Sequence, residues 1–80
     1  MFKVVYHRHH QRFIKPFDTK DAAMNFGKMG SDYNELFFEY LLDENDIIIY
    51  DGTIYVFGLE DQSDVGKKFV YTDEYTIETE

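Results

Sequence analysis

Val4–Phe13, "VVYHRHHQRF", holds all three histidines of the 80-residue chain within four positions, with Arg8 and Arg12 among them. Three kinds of chemistry suit such a run. On a strand, His7 and His9 share a face, and H-x-H spacing brings two imidazoles toward one metal ion. A metal site needs a third ligand, however, and Arg8 and Arg12 repel a cation. As a basic patch, His7, Arg8, His9 and Arg12 contact an acidic surface, more strongly below about pH 6.5, where imidazoles protonate. The third reading is the mouth of a β-hairpin with weak positive character, and it is preferred here. No metal and no cofactor is implied.

A second chemistry lies in the carboxylates. In a helix over 32–44, Asp32, Glu35, Glu39 and Asp43 line the face opposite the apolar residues. Between Lys28 and Lys67 there is no Lys or Arg to pair with them. Like charges at i, i+4 cost only about 0.2–0.5 kcal/mol per pair, so such a face survives without a function. Its functional reading is docking on a basic partner, with Asp51, Glu60 and Asp61 extending the surface. Nucleic-acid mimicry is the extreme form. Carboxylates four residues apart on a helix stand about 6 Å apart, against about 3.4 Å per phosphate along one DNA strand. One helix face thus supplies about half the charge density, and mimicry ranks below general binding of a basic protein.

Nucleophilic catalysis has little to work with. There is no Cys, and the two serines, Ser31 and Ser63, sit in turn-like contexts. G-x-S-x-G, H-E-x-x-H and a phosphate-cradling glycine loop are missing, and "GKMGSD" lacks the strand and G-K-[ST] ending of a P-loop. The chain is expected not to be an enzyme.

The elements that must position these residues can be read from pattern. Phe2–Arg8 and Arg12–Phe17 are β-rich and form a hairpin around "HHQ", with Pro16 suggesting an edge. A helix follows, capped by Asp18 or Thr19 and ended by Gly30, with Ala22, Phe26 and Met29 on one face and Gly27 shortening it. Tyr33, Leu36, Phe37, Tyr40 and Leu41 fall at helical spacing, and Ser31 caps a second helix. A strand reading of "LFFEYLL" competes. "IIIYDGTIYVFG" reads as a second hairpin about a type I′ Asp51-Gly52 turn. It pairs Ile49 with Ile54 and Ile47 with Val56, and leaves Tyr50, Tyr55 and Phe57 on the other face. Those aromatics either pack beneath another element or mark an interface, including a homodimer. "LEDQSDVGKK" is a polar loop, and "KFVYTDEYTIETE" gives a further strand with a frayed acidic end.

Together these elements make one α+β domain, 1–80. Its antiparallel sheet, from the N-terminal and Asp51-Gly52 hairpins, packs with one or two short helices. Fifteen Phe and Tyr supply a core from few side chains. The net charge of −8 is lopsided. Residues 1–28 carry six Lys or Arg against two Asp, and residues 29–80 carry two Lys against fourteen acids. Such a surface disfavours nucleic acid and anionic membranes as direct partners. No signal peptide and no run of about 20 apolar residues is visible, so a cytoplasmic location is expected. In size and composition, though in no motif, the chain resembles the small acidic inhibitors that bacteriophages use against host enzymes and nucleases. The expected function is a non-enzymatic protein-binding module acting on a basic partner. The alternatives are a self-associating accessory or structural protein and a histidine-based metal or pH sensor.

Overall fold

The computed structural model describes residues 1–58, 63–71 and 75–77, with the side chains of Phe57, Tyr75 and Ile77 left out. Strands β1 (Phe2–Arg8) and β2 (Gln11–Phe17) form the expected N-terminal hairpin. Arg8 pairs with Gln11, so the turn is the two residues His9 and His10. Their φ angles are 51° and 66°, the left-handed pair that a type I′ turn demands. Histidine tolerates that region better than most non-glycine residues. His9 therefore lies in the turn and not beside His7 on a strand face, and the H-x-H metal geometry is lost.

Helix α1 (Lys20–Asp32) follows, with the Thr19 hydroxyl accepting from the Ala22 amide at 3.1 Å. It is longer than Gly27 led one to expect. A Cβ at Gly27 would stand 2.8 Å from ring atoms of the fully buried Phe38, so glycine here serves close approach to the sheet. The buried stripe is Ala23, Gly27 and Gly30. Of the expected face of Ala22, Phe26 and Met29, Phe26 packs against the core beside Tyr6 and Phe17, whereas Ala22 and Met29 are exposed.

The second helix over 32–44 does not form. Residues 33–36 are a loop with Asn34 at φ 59°, and β3 spans Phe37–Leu42. Ser31 caps nothing; its hydroxyl accepts from the Phe38 amide at 3.2 Å at the start of the strand. β3 lies between β1 and β4, so it is apolar on both faces. Such a strand yields a dense apolar run that also satisfies helical spacing.

Strand β4 (Ile48–Asp51) runs antiparallel to β3, but the chain then enters α2 (Gly52–Phe57). The expected Asp51-Gly52 hairpin is thus a strand-to-helix junction. Asp51 is the N-cap of α2, accepting from the Thr53 amide at 2.9 Å and from the Thr53 hydroxyl. Its other oxygen accepts from the Asp64 amide at 3.0 Å. Gly52 faces Phe38, where a Cβ would lie 2.7 Å from the Phe38 carbonyl oxygen. An Asp-Gly pair serves a helix start as well as a turn, and here the cap and the close contact select the helix.

The sheet order is β4-β3-β1-β2-β5, antiparallel apart from β5 (Tyr75–Ile77), which lies parallel to β2 at Arg12–Ile14. Pro16 lies beyond that pairing, where its missing N–H disrupts no ladder. The domain is α+β. One sheet face, with Val4, Tyr6, Phe38 and Leu41, is covered by the helices. The other, with Val5, Ile14, Leu42 and Ile48, is covered by Phe69. The segment carrying Phe69 also bonds the open edge of β4, through Ile48 N to Lys67 O at 2.9 Å and Gly66 N to Ile48 O at 2.8 Å.

Candidate functional site

Two surfaces collect the side chains singled out by sequence. The first is a cleft of about 750 Å³ at the hairpin mouth. His7, Arg8, His9, His10 and Arg12 line it from β1, β2 and their turn. Phe37 and Glu39 line it from β3. Gathering basic side chains here is what a tight hairpin does to residues adjacent in sequence.

Glu39 reaches the cleft through a β-bulge. Val5 pairs with Tyr40 and Tyr6 with Phe38, which leaves Glu39 without a partner on β1. A bulge re-aims one side chain while the ladder continues on either side. The Glu39 side chain is only 9% exposed, with Oε2 3.1 Å from His7 Nδ1 and 3.6 Å from Arg12 Nε. These are ion-pair distances, yet Oε2 accepts no hydrogen bond among the described residues. Burial pushes the Glu39 carboxyl above its ordinary range, against the opposing pull of Arg12 and His7. A buried acceptor left in that state costs about 1–3 kcal/mol, more when charged.

The rim has its own order. Arg8 Nε donates to the Glu35 carbonyl at 3.1 Å, and its guanidinium lies 5.5 Å from the Tyr6 ring centroid. The Phe37 ring stands edge-on to His7 at 6.3 Å. Chemically, the cleft offers basic groups, one buried carboxyl able to hold a proton, and an aromatic wall. Among the described residues no group of three or more His, Asp or Glu is placed to hold a metal ion.

The second surface lies where α1 ends beside α2. The Tyr55 hydroxyl donates to Asp32 Oδ1 at 2.8 Å, and that bond holds the Tyr55 phenol proton more tightly than usual. Lys28 sits over the rings of Tyr50 and Tyr55, at 5.1 and 5.4 Å. Met29 (45% exposed), Tyr33 (68%), Tyr55 (40%) and Val56 (37%) stand exposed on these two helices and the α1 C-cap. Of the expected aromatic face, Tyr55 belongs to this surface. Tyr50 is half-buried and stacked on Phe38 at 5.7 Å, and the Phe57 side chain lies outside the described residues.

The expected acidic face is dispersed. Asp32 and Glu35 are exposed at the end of α1 and in the following loop. Glu39 is buried in the cleft wall, and Asp51 is buried as the α2 cap. Asp43 closes a turn, accepting from the Asn45 and Ile47 amides at 2.8 and 2.9 Å. Glu60 and Asp61 lie outside the described residues. With two of these carboxylates buried and β3 in place of the helix, the row that mimicry required is not built.

Sequence reasoning missed two networks. Asp46 Oδ1 accepts from Lys3 Nζ at 2.7 Å and from the Tyr71 hydroxyl at 2.8 Å. Tyr40 donates to Asp64 Oδ2 at 2.8 Å, and burial together with that bond raises its phenol well above the ordinary range. Both pairings span long sequence separations and leave no local pattern. The burial of Glu39 did leave one, as a lone carboxylate inside "FFEYLL".

Among the described residues no helix is long and apolar enough to cross a membrane. Comparison with protein-family models, with curated proteins and with solved structures finds no match to this chain.

Proposed function

We propose that the protein is a non-enzymatic binding module that docks on a basic protein through the surface formed by α1 and α2. The carrying observation is the exposure there of Met29, Tyr33, Tyr55 and Val56 on adjoining elements. Monomeric proteins expose single apolar side chains commonly, but a neighbouring group of this kind marks an interface. Tyr is among the residues enriched at interface hot spots. Asp32 and Glu35 border the patch, and the net charge of −8 favours encounter with a cationic partner over an anionic one. Inhibition of a host enzyme or nucleic-acid-binding protein is the biological setting that fits such a module, and a cytoplasmic location goes with it.

The test is quantitative capture from lysate with wild type and with the Tyr33→Ser/Tyr55→Ser variant, followed by titration of the purified captured protein. The reading predicts one basic protein in stoichiometric amount, with affinity lower by about 30-fold or more in the variant, as expected for hot-spot residues. Equal binding by a folded variant would remove this surface from consideration. A wild type that captures only itself, with mass rising with concentration, would replace the reading by self-association.

A further inference from the structure

Independently of the docking surface, we propose that the cleft at the hairpin mouth is an acid-gated site for a tetrahedral oxyanion, the phosphate or sulfate group of a small ligand. Both arginines of the chain, Arg8 and Arg12, and all three of its histidines line this one cleft, while its six lysines lie outside the lining. The guanidinium is the planar cation that meets phosphate oxygens in pairs, whereas lysine acts as a point charge. Arg8 comes from β1 and Arg12 from β2, with His9 and His10 between them in the turn. The bond from Arg8 Nε to the Glu35 carbonyl, at 3.1 Å, sets the direction of that guanidinium fork. Donors on separate walls suit a group whose oxygens diverge in three dimensions. A carboxylate, with two oxygens in one plane, is served by a single fork. A volume of about 750 Å³ leaves room for the remainder of a ligand, to which Phe37 offers an apolar wall.

The gate is the balance of charge. Among the described residues, the ionisable groups of the cleft are His7 and Arg8 on β1, His9 and His10 in the turn, Arg12 on β2, Glu35 in the loop after α1 and Glu39 on β3; α2 contributes only Thr53. With neutral imidazoles, two guanidinium charges face two carboxylates and the cleft has little net attraction for an anion. Imidazoles take up protons below about pH 6.5, so three positive charges are added on acidification. Burial raises the Glu39 carboxyl above its ordinary range, so acid removes its negative charge sooner than that of an exposed glutamate. Glu39 acts on the ligand through charge alone, because its Oε2 is sealed from solvent and lies at ion-pair distance from His7 and Arg12. The chain's remaining acids interfere little, since charges beyond about 8 Å are largely screened at physiological salt. The turn supplies a second observation. Its two imidazoles sit at positive φ, where Asn and Gly would be less strained, so ionisable rings are kept at the rim against the preference of the backbone.

The experiment uses the full chain, isotope-labelled, titrated with sodium sulfate at pH 5.5 and at pH 7.5, with ionic strength held constant by sodium chloride. Sulfate keeps its double charge at both, so any pH dependence belongs to the protein. Amide shifts of residues 7–12 and 34–39 are expected to saturate at pH 5.5, with affinity about tenfold or more lower at pH 7.5. Oxalate, a planar dianion at both pH values, should bind about tenfold more weakly than sulfate at pH 5.5. Inorganic phosphate is titrated in parallel; whichever of it and sulfate binds more tightly names the group, equal affinities assign the site to both, and each of these results supports the proposal. Arg8→Gln should weaken sulfate at pH 5.5 by about tenfold. His9→Asn/His10→Asn keeps residues that tolerate positive φ; it should lower the pH 5.5 affinity by about tenfold and leave the pH 7.5 value unchanged. Lys20→Gln removes a charge outside the lining and should bind as wild type. The proposal is overturned by no saturable shift at pH 5.5, by equal affinity at the two pH values, or by oxalate binding as tightly as sulfate. It is overturned equally by either cleft variant binding as wild type, or by Lys20→Gln weakening sulfate as much as Arg8→Gln does.

Discussion

Replacing Glu39 by Met tests whether this carboxylate is retained against the stability of the fold. The side chain is 9% exposed, whereas its partners His7 and Arg12 are 38% and 36% exposed. Water therefore weakens the attraction more than it relieves the burial. Folded-state burial raises the Glu39 pKa above its ordinary value of 4.5, and Arg12 and His7 only partly offset this. The sign follows from linkage. Between 4.5 and the raised folded value, the native state holds more protons than the unfolded one. Stability from this group is therefore greatest at low pH and falls as pH rises through that window. Each unit of displacement is worth about 1.4 kcal/mol. Replacing buried ion pairs by apolar side chains of similar volume is often neutral or stabilising by about 1–4 kcal/mol. Glu39→Met is accordingly expected to stabilise the protein by about 1–2 kcal/mol at pH 7.5, from the lower part of that range. That is roughly 4–16 °C in Tm for a domain of this size. At pH 4 the gain should shrink toward zero, because the wild-type carboxyl is then protonated. Urea titrations at the two pH values provide the readout. A variant less stable than wild type by more than about 1 kcal/mol at pH 7.5, or a difference independent of pH, would refute the reasoning.

Two further substitutions probe the elements that hold the sites. His9→Asn with His10→Gly supplies the residues that a type I′ turn prefers. It should stabilise the hairpin by about 1–2 kcal/mol, the cost of a left-handed residue with a Cβ, as read by thermal denaturation. Gly52→Ala places a Cβ 2.5 Å from Phe38 Cγ and 2.7 Å from the Phe38 carbonyl oxygen. Backbone cannot swing aside as a side-chain end can, so a loss of about 3 kcal/mol is expected in urea unfolding.

The parts of this fold legible in the sequence are those specified by neighbours. Phe2–Arg8 and Gln11–Phe17 carry their own β pattern, and Thr19 marks the start of α1 three residues before the amide it caps. The misread parts depend on context. Phe37–Leu42 is apolar on both faces because β1 and β4 flank it, and a two-sided strand has no period of two to betray it. Asp51 and Gly52 answer to Thr53, Asp64 and Phe38, and only the last two are distant in sequence. The acidic face failed with the helix that was to carry it. The histidine cluster kept its reading as a hairpin mouth, but nothing near residue 10 announces that Glu39 closes the same cleft from another strand.

Two costly choices meet at that cleft. The turn at its rim uses His9 and His10, both at positive φ, where Asn and Gly would fit with less strain. Its wall uses a buried carboxylate at a bulge where an apolar residue would close the sheet. Sequence and structure otherwise agree closely around them: the capping Thr19, the packed Gly27 and the fully buried Val4, Val5 and Phe38 follow ordinary rules. Local departures from stability tend to gather where a protein does its work. Two departures of different kinds, one in backbone conformation and one in electrostatics, face the same volume from different strands. That coincidence makes the hairpin mouth the place where this fold departs furthest from ordinary rules, and neither departure taken singly would show it.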